Sequence, residues 1–232
     1  MKGAFRSAVL DLFYPPKCLI CHRIMDSSRQ TVCSACMDRL PEHDGADPQV
    51  RFAERCVATF FYEGDLRESF HRFKFGGLRA YATQYGRWMA VTVRDKLAGE
   101  FDLITWAPVS DKRRKQRGYD QSELLARTVA KELGMQPVRL LRKCRHTRPN
   151  SELGDASGRS ANVAGVYEPL TPERFAGRRV LVIDDIVTTG ATLSECSRVL
   201  LTAGAMSVVC AALAAARKHE KINYSEDYRN RG

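Results

Sequence analysis

The chain has 232 residues, of which 44% are hydrophobic, and this size suits one sizeable α/β domain plus a small appendage. Lysine and arginine number 37 against 27 acidic residues, a formal charge of +10, which favours a polyanionic partner such as pyrophosphate or a nucleic-acid backbone; a solvated basic face is the alternative. No stretch approaches the ~20 apolar residues needed to cross a bilayer, so membrane insertion is excluded.

The N-terminus starts like a signal peptide but lacks the features of one. Its apolar stretch at 7–13 is short, contains Asp11, and is followed by no small-residue cleavage site. Apolar side chains fall on one helical face before Pro15 and Pro16 end the helix: Phe5, Val9, Leu12 and Phe13. We therefore expect a packing helix and a cytoplasmic protein.

Two C-x-x-C pairs follow, separated by eleven residues: Cys18, Cys21, Cys33 and Cys36. In a reducing compartment cysteines favour metal binding or burial over disulfides, and this spacing suits a tetrahedral four-thiolate zinc site. Two redox pairs are the alternative, although a redox motif usually lies in a strand–helix unit, which this polar stretch lacks. We predict one structural zinc ion that folds a module with almost no core of its own.

The next segment predicts a strand at 56–62 and helices at 66–73 and 80–97, with a break at Phe75-Gly76-Gly77. Aromatic residues here alternate with Arg72, Lys74 and Arg79, which is also typical of a nucleic-acid stacking platform. Helical spacing favours a core position for Tyr85 and Trp88. For residues 73–75, both a core position and a role in nucleic-acid stacking stay open.

A second buried strand is predicted at 101–109, followed by a basic loop at 112–118 and a helix at 121–133 whose first turn has capping-box spacing at Asp120 and Glu123. The basic loop leaves the C-terminal end of a strand, where open α/β sheets bind ligands. Its cations are candidate contacts for a nucleic-acid backbone: Lys112, Arg113, Arg114, Lys115 and Arg117. Lys112 and Arg113 are also candidates for pyrophosphate.

A strand at 138–141 precedes a long polar stretch at 145–163. A stretch of this length inside a compact domain is either disordered or a functional lid.

The most informative segment is 179–193. An apolar run at 180–183 reads as a buried parallel strand that ends in Asp184 and Asp185, and a hydroxyl-rich loop then leads into a helix at 193–201. A helix N-terminus directs backbone N–H groups and a positive dipole at one point, which favours phosphate. Paired carboxylates can accept hydrogen bonds from vicinal hydroxyls such as those of ribose.

The pattern D-D-x-x-T-T-G-x-T resembles the phosphoribosyl pyrophosphate (PRPP) motif of type I phosphoribosyltransferases. The resemblance implies that Asp184 and Asp185 hold the ribose and that magnesium accompanies PRPP. In the polar stretch at 145–163, Arg145, Arg148 and Arg159 are the candidates to meet the charge of the leaving pyrophosphate. The loop that would wrap the 5′-phosphate comprises Thr188, Thr189, Gly190, Ala191 and Thr192. A receiver-type domain is the alternative, but its phosphoacceptor Asp must lie on a later strand, and only Asp227 follows the pair.

The whole chain resembles the ComF-type (competence protein F) proteins, a zinc ribbon joined to a phosphoribosyltransferase domain. The resemblance rests on the two cysteine pairs, the PRPP motif, and three shorter matches at Lys74-Phe75-Gly76-Gly77, Arg117-Gly118-Tyr119-Asp120-Gln121 and Arg159-x-x-Asn162-Val163. It implies a mostly parallel sheet flanked by helices. We expect a helix and zinc ribbon at 1–45, a phosphoribosyltransferase-like domain at 55–217, and a polar tail at 218–232.

Three functions are compatible with this resemblance. The first is a PRPP-binding protein that handles incoming single-stranded DNA in natural transformation, together with a DNA-translocating, helicase-type competence protein. The second is an enzyme that transfers ribose 5-phosphate to a small nitrogenous acceptor in nucleotide metabolism. The third is a non-catalytic PRPP-sensing adaptor. The sequence does not identify an acceptor, so it does not distinguish among the three functions.

Overall fold

The computed structural model describes residues 15–27, 30–144 and 165–217. In chain order the elements are a one-turn helix α1 (Ser34–Met37), β1 (Arg55–Phe61), α2 (Gly64–Phe75), α3 (Tyr81–Leu97), β2 (Leu103–Trp106), α4 (Asp111–Arg117), α5 (Gln121–Glu132), β3 (Leu141–Lys143), β4 (Tyr167–Pro169), a 3-10 turn (Pro172–Arg174), β5 (Arg179–Val187), α6 (Ala191–Thr202) and β6 (Ser207–Ala215). Three predicted features lie outside the described residues: the helix at 5–13, the polar segment at 145–163 with Arg145 and Arg159, and the tail at 218–232.

The main sheet has four strands in the order β1–β6–β5–β2, and all three pairings are parallel. Pro137 extends it by one bridge beyond β2, through Ile104. The prediction of a mostly parallel sheet flanked by helices is confirmed. In a parallel sheet the carboxyl ends of the strands share one edge, so the ends of β2 and β5 lie side by side.

Both faces of this sheet are covered, which explains the unbroken apolar runs of the sequence. Along β5, Leu181 and Ile183 join a core formed with α2, α3 and α5, while Val180 and Val182 join a second core formed with α6. Alternate side chains of a strand point to opposite faces, so a strand that is buried on both sides needs apolar residues at every position.

Several elements differ from their predicted bounds. The strand predicted at 101–109 is shorter (Leu103–Trp106), and the one predicted at 138–141 occurs at Leu141–Lys143. Strand β5 does not end at the carboxylate pair but continues to Val187 in register with β6, because Ile186 and Val187 still pair with Ala214 and Ala215.

The prediction of a basic loop at 112–118 is wrong, since residues 111–117 form helix α4. Asp111 lies in its first turn and three cations lie in its last, an arrangement that the helix dipole stabilises. Gly118, at φ 75°, ends the helix and donates its N–H to the carbonyl of Arg114 over 2.8 Å.

The cysteine-rich segment packs on α2 and α3 rather than standing apart. Leu19 and Ile20 belong to the same core as Phe70 and Tyr85. Ser69 donates its hydroxyl to the carbonyl of Leu19 and also contacts the Tyr85 hydroxyl at 2.6 Å. Among the described helices, none combines the length and apolar composition that crossing a bilayer requires.

Candidate functional site

The carboxylate pair on β5 is held by two other elements. Oδ1 of Asp184 accepts hydrogen bonds from the hydroxyl of Ser122 at 2.9 Å and from the backbone N–H of Asp185 at 2.8 Å. Oδ2 of Asp185 lies 2.9 Å from Nζ of Lys74. The start of α5 and the end of α2 therefore meet the end of β5, and their contacts orient both carboxylates.

Asp184 is buried, with 8% of its surface exposed. Burial is the main reason why its pKa rises to about 7, and the adjacent charge of Asp185 raises it further, against the hydrogen bonds from Asp185 N–H and Ser122 and the charge of Lys74. A ligand that brings hydroxyl donors or a cation to this carboxyl group would therefore favour its ionised form.

The loop after the pair leads directly into α6. Gly190 has φ 73°, the left-handed conformation that glycine adopts most readily, and α6 starts at the next residue. No acidic residue lies in the first turn of α6, and Thr189 Oγ1 accepts a long hydrogen bond from Ala191 N–H at 3.4 Å. The first turn thus retains the positive potential that suits a phosphate.

A partly buried lysine lies near this site. Lys143, on β3, has its ammonium group 5.1 Å from the centroid of the Tyr167 ring. Burial is the main cause that lowers its pKa to about 8, the charge of Arg113 lowers it further, and the carboxylates of Asp184 and Asp120 oppose the shift. Lys143 therefore lies within electrostatic reach of Asp184, Asp120 and Arg113.

The other cations of α4 point elsewhere. Arg114 lies 3.4 Å from Glu123, and Arg117 donates to Oε1 of Gln121 at 3.1 Å. Lys112 and Lys115 are exposed. The five predicted basic residues thus form no single row, because a helical turn distributes them around its axis.

Asp120 caps α5 as predicted. Its Oδ1 accepts from Glu123 N–H at 3.2 Å, and its Oδ2 accepts from Val109 N–H at 3.0 Å. Burial is the main cause that raises its pKa to about 6. This carboxyl group ties the start of α5, and with it Ser122, to the segment after β2.

Sequence reasoning assigned no role at this site to Lys74, Ser122 or Lys143. Each comes from a different element, and only Lys74 carried a signal, as the last cation before the glycine pair that follows α2. Ser122 and Lys143 carried no sequence signal, because the groups that they contact are brought to them only by the packing of the fold.

The four predicted zinc ligands do come together. The Sγ atoms of Cys18, Cys21, Cys33 and Cys36 all lie within 4.8 Å of one another, and those of Cys21 and Cys33 are 3.9 Å apart. Tetrahedral zinc with Zn–S bonds of about 2.3 Å requires sulfurs separated by about 3.8 Å, so the cluster fits the ion.

Backbone N–H groups also prepare this cluster for a metal. Burial opposes ionisation of the Cys18 thiol, but hydrogen bonds from the backbone of Cys33, Cys21 and Ile20 lower its pKa to about 7. The N–H of Cys33 lies 3.4 Å from Cys18 Sγ. Because the thiolate is the metal ligand, these bonds favour binding, and four protein ligands make a closed, structural site.

Comparisons with known proteins agree with both parts of this description. A model of the phosphoribosyl transferase domain matches residues 120–231, and a model of the double zinc ribbon domain matches residues 9–47.

Among curated relatives, Competence protein F of Haemophilus influenzae is 26% identical over 216 residues, which cover 83% of this chain and 93% of that protein. DNA utilization protein YhgH of Escherichia coli (strain K12) is 27% identical over 202 residues, covering 82% and 86%. Among solved structures, the "allosteric regulatory enzyme of purine biosynthesis" is 20% identical with a TM-score of 0.39; the match covers 56% of this chain and spans 25% of that one.

Proposed function

Because this chain is a ComF-type protein, a double zinc ribbon joined to a phosphoribosyltransferase domain, we propose that it binds PRPP with magnesium and handles single-stranded DNA during natural transformation. The observation that carries the PRPP assignment is the pair Asp184–Asp185 near the end of β5, two residues before the loop that enters α6. The DNA assignment is supported by the names of the relatives, "competence protein" and "DNA utilization protein", and by the net charge of +10.

In this proposal each part of the site has one task. The carboxylates accept hydrogen bonds from the ribose hydroxyls, and the backbone N–H groups of 188–192 hold the 5′-phosphate. Magnesium, a hard cation that prefers oxygen ligands, shields the pyrophosphate when it is bound with PRPP. Lys74, which lies 2.9 Å from Asp185, would meet the remaining negative charge together with Lys143 and Arg113, whose charges act on one another near Asp184.

The zinc ribbon has a structural task, and the four thiolates suit the reducing conditions of the cytoplasm, where we place the protein. Its contact with α2 links it to Lys74 on the same helix. A helicase-type competence protein is the partner that the DNA role implies.

Titration calorimetry with PRPP and magnesium tests the site assignment. The double variant Asp184→Asn/Asp185→Asn should bind at least tenfold more weakly than the wild type, with an unchanged circular dichroism spectrum, because amides keep the shape of the carboxylates but not their charge. Asp95→Asn, an exposed residue of α3, is the matched control. Equal affinity in the double variant and the wild type would refute the assignment.

A phosphoribosyltransferase that acts on a small nitrogenous acceptor is the second candidate, favoured by the intact motif and the cations around it. Pyrophosphate release from PRPP, measured against a panel of nucleobases and amines, distinguishes the two functions. Turnover with one acceptor, combined with normal transformation frequency in a deletion strain, would establish the enzyme instead. A non-catalytic PRPP sensor predicts binding without release and no affinity for DNA.

A further inference from the structure

The last residue of α2 is an aromatic that the core does not use. Phe75 is 61% exposed, whereas Phe70 and Phe73 of the same helix are fully buried. The helix ends at Phe75 because Gly76 and Gly77 follow it, and Gly77 has φ 69°. A single exposed aromatic is ordinary on a protein surface, so its surroundings must decide whether it has a role.

Two planar side chains lie against the Phe75 ring. The His71 ring, one turn earlier on α2, has its centroid 4.6 Å from that of Phe75 at an interplanar angle of 35°. The guanidinium carbon of Arg117, from α4, lies 4.8 Å from the same centroid. This is a cation–π arrangement, and it leaves most of the aromatic side chain open to solvent.

The arrangement is held in place by the contact between α2 and the start of α5. Arg117 donates to Oε1 of Gln121 at 3.1 Å, and Gln121 donates through Nε2 to the carbonyl of Lys74 at 3.3 Å. Gln121 is itself fully buried. The aromatic ring and the guanidinium plane are therefore prepositioned, which reduces the entropy lost when a ligand stacks on them.

Phe75 also adjoins the candidate PRPP site. Its neighbour Lys74 contacts Asp185 at 2.9 Å. At the end of α2, Lys74 therefore faces the carboxylate pair while Phe75 faces the solvent. A second arginine–aromatic pair lies close by, since the guanidinium carbon of Arg79 is 5.1 Å from the Tyr119 centroid. Exposed aromatic surface among cations is the combination that single-stranded nucleic acids use, through base stacking and phosphate contacts.

We propose that Phe75, with Arg117 and His71, is a stacking site for a base of single-stranded DNA at the edge of the PRPP site. The proposal rests on the proposed DNA-handling function and deepens it by naming the surface. Stacking on a phenyl ring tolerates every base, so the site binds without sequence preference. Arg117 supplies positive charge next to the stacked base.

The test separates stacking from charge by using two labelled oligonucleotides of equal length, oligo-dT and an all-abasic strand with the same phosphates. Fluorescence anisotropy is measured with the full chain and its zinc. Phe75→Ala should weaken oligo-dT binding about tenfold, the effect of losing one stacked base, and leave abasic binding unchanged. Phe75→Trp should retain affinity, and the emission of the new indole should be quenched by oligo-dT.

Met206→Ala is the matched control, because Met206 is a 66% exposed apolar residue just before β6, at the opposite edge of the sheet from the carboxylate pair. It should leave both affinities unchanged. The stacking site is overturned if Phe75→Ala binds oligo-dT like the wild type, or if it loses both oligonucleotides equally. If the wild type binds neither strand, the DNA-handling function itself falls, and the stacking site falls with it.

Discussion

The carbonyl oxygen of Gln49 lies so close to Gly190 that a β-carbon added there would stand 2.6 Å from it. Val50 approaches the same point at 3.4 Å, and the N–H of Arg51 donates to the Ser194 hydroxyl at 2.9 Å. The segment that joins the zinc ribbon to the transferase domain therefore packs on the start of α6, next to the candidate phosphate loop. A side chain at Gly190 would disturb both.

Gly190→Ala should destabilise the protein by about 2–4 kcal/mol, since it combines a left-handed backbone conformation with a clash against backbone. Gly177→Ala is the matched control, because Gly177 has φ 67° but nothing within 4 Å of its added β-carbon. In urea unfolding, Gly190→Ala should lose more stability than Gly177→Ala. In calorimetry, only Gly190→Ala should bind PRPP more weakly than the wild type. Equal losses in the two variants would contradict the role of the Gln49 contact.

The cysteine cluster should hold one zinc ion per chain. Metal analysis of the purified protein should give about one equivalent, and Cys18→Ser/Cys33→Ser should lose it. Because Leu19 and Ile20 pack with Phe70 and Tyr85, loss of the metal should lower the melting temperature and the yield of folded protein before PRPP affinity changes. Cys144→Ser, an exposed cysteine outside the cluster, should retain the ion. A metal-free wild type that folds normally would rule out the structural zinc.

Asp184 should make stability depend on pH. Burial raises its pKa to about 7, well above the usual value of a carboxyl group, so its contribution to stability is fully present below about pH 4 and is lost as pH rises through 7. Asp184→Asn is always neutral and keeps an acceptor for Ser122. Its melting temperature, relative to the wild type, should therefore be higher at pH 8 than at pH 5.

Asp102→Asn provides the opposite case. Hydrogen bonds from Arg179 are the main reason why the pKa of Asp102 falls to about 2, so its contribution is present above about pH 4 and is lost as pH falls through 2. The effect of Asp102→Asn should not change between pH 5 and pH 8. If Asp184→Asn shows the same flat profile in thermal scans without PRPP, burial does not control its ionisation.

The exposed cations of α4 should contribute to DNA affinity through charge alone. Lys112→Ala/Lys115→Ala should reduce the slope of log affinity against log salt concentration by up to about 1.4 for single-stranded DNA. Each phosphate contact on a single strand contributes about 0.7 to that slope. Arg113→Ala should weaken PRPP binding instead, because the charge of Arg113 reaches Lys143, which in turn interacts with Asp184. The charge control is Arg94→Ala/Lys131→Ala, which removes two exposed cations from α3 and α5. If all variants had the wild-type slope, the cations of α4 would not contact DNA, and their role would be to keep the protein soluble.

The sequence by itself determined the features that depend on neighbours along the chain. The apolar run at 180–183 predicted a strand that is buried on both faces, the spacing of Tyr85 and Trp88 predicted helix α3, and Asp120 predicted the start of α5; the structure confirms all three. The cysteine spacing likewise predicted a four-sulfur cluster. These signals are local, since periodicity, caps and tight turns involve residues only a few positions apart.

Only the tertiary structure decided which groups meet. Helix α4 was missed because five cations in six positions repel one another, and the contacts that offset this repulsion come from the tertiary fold: Arg114 lies 3.4 Å from Glu123, and Arg117 donates to Gln121. Ser122 reaches Asp184 across 62 positions, and Arg51 reaches Ser194 across 143. Such contacts depend on how helices pack on the sheet, a property of the whole core that no local pattern encodes.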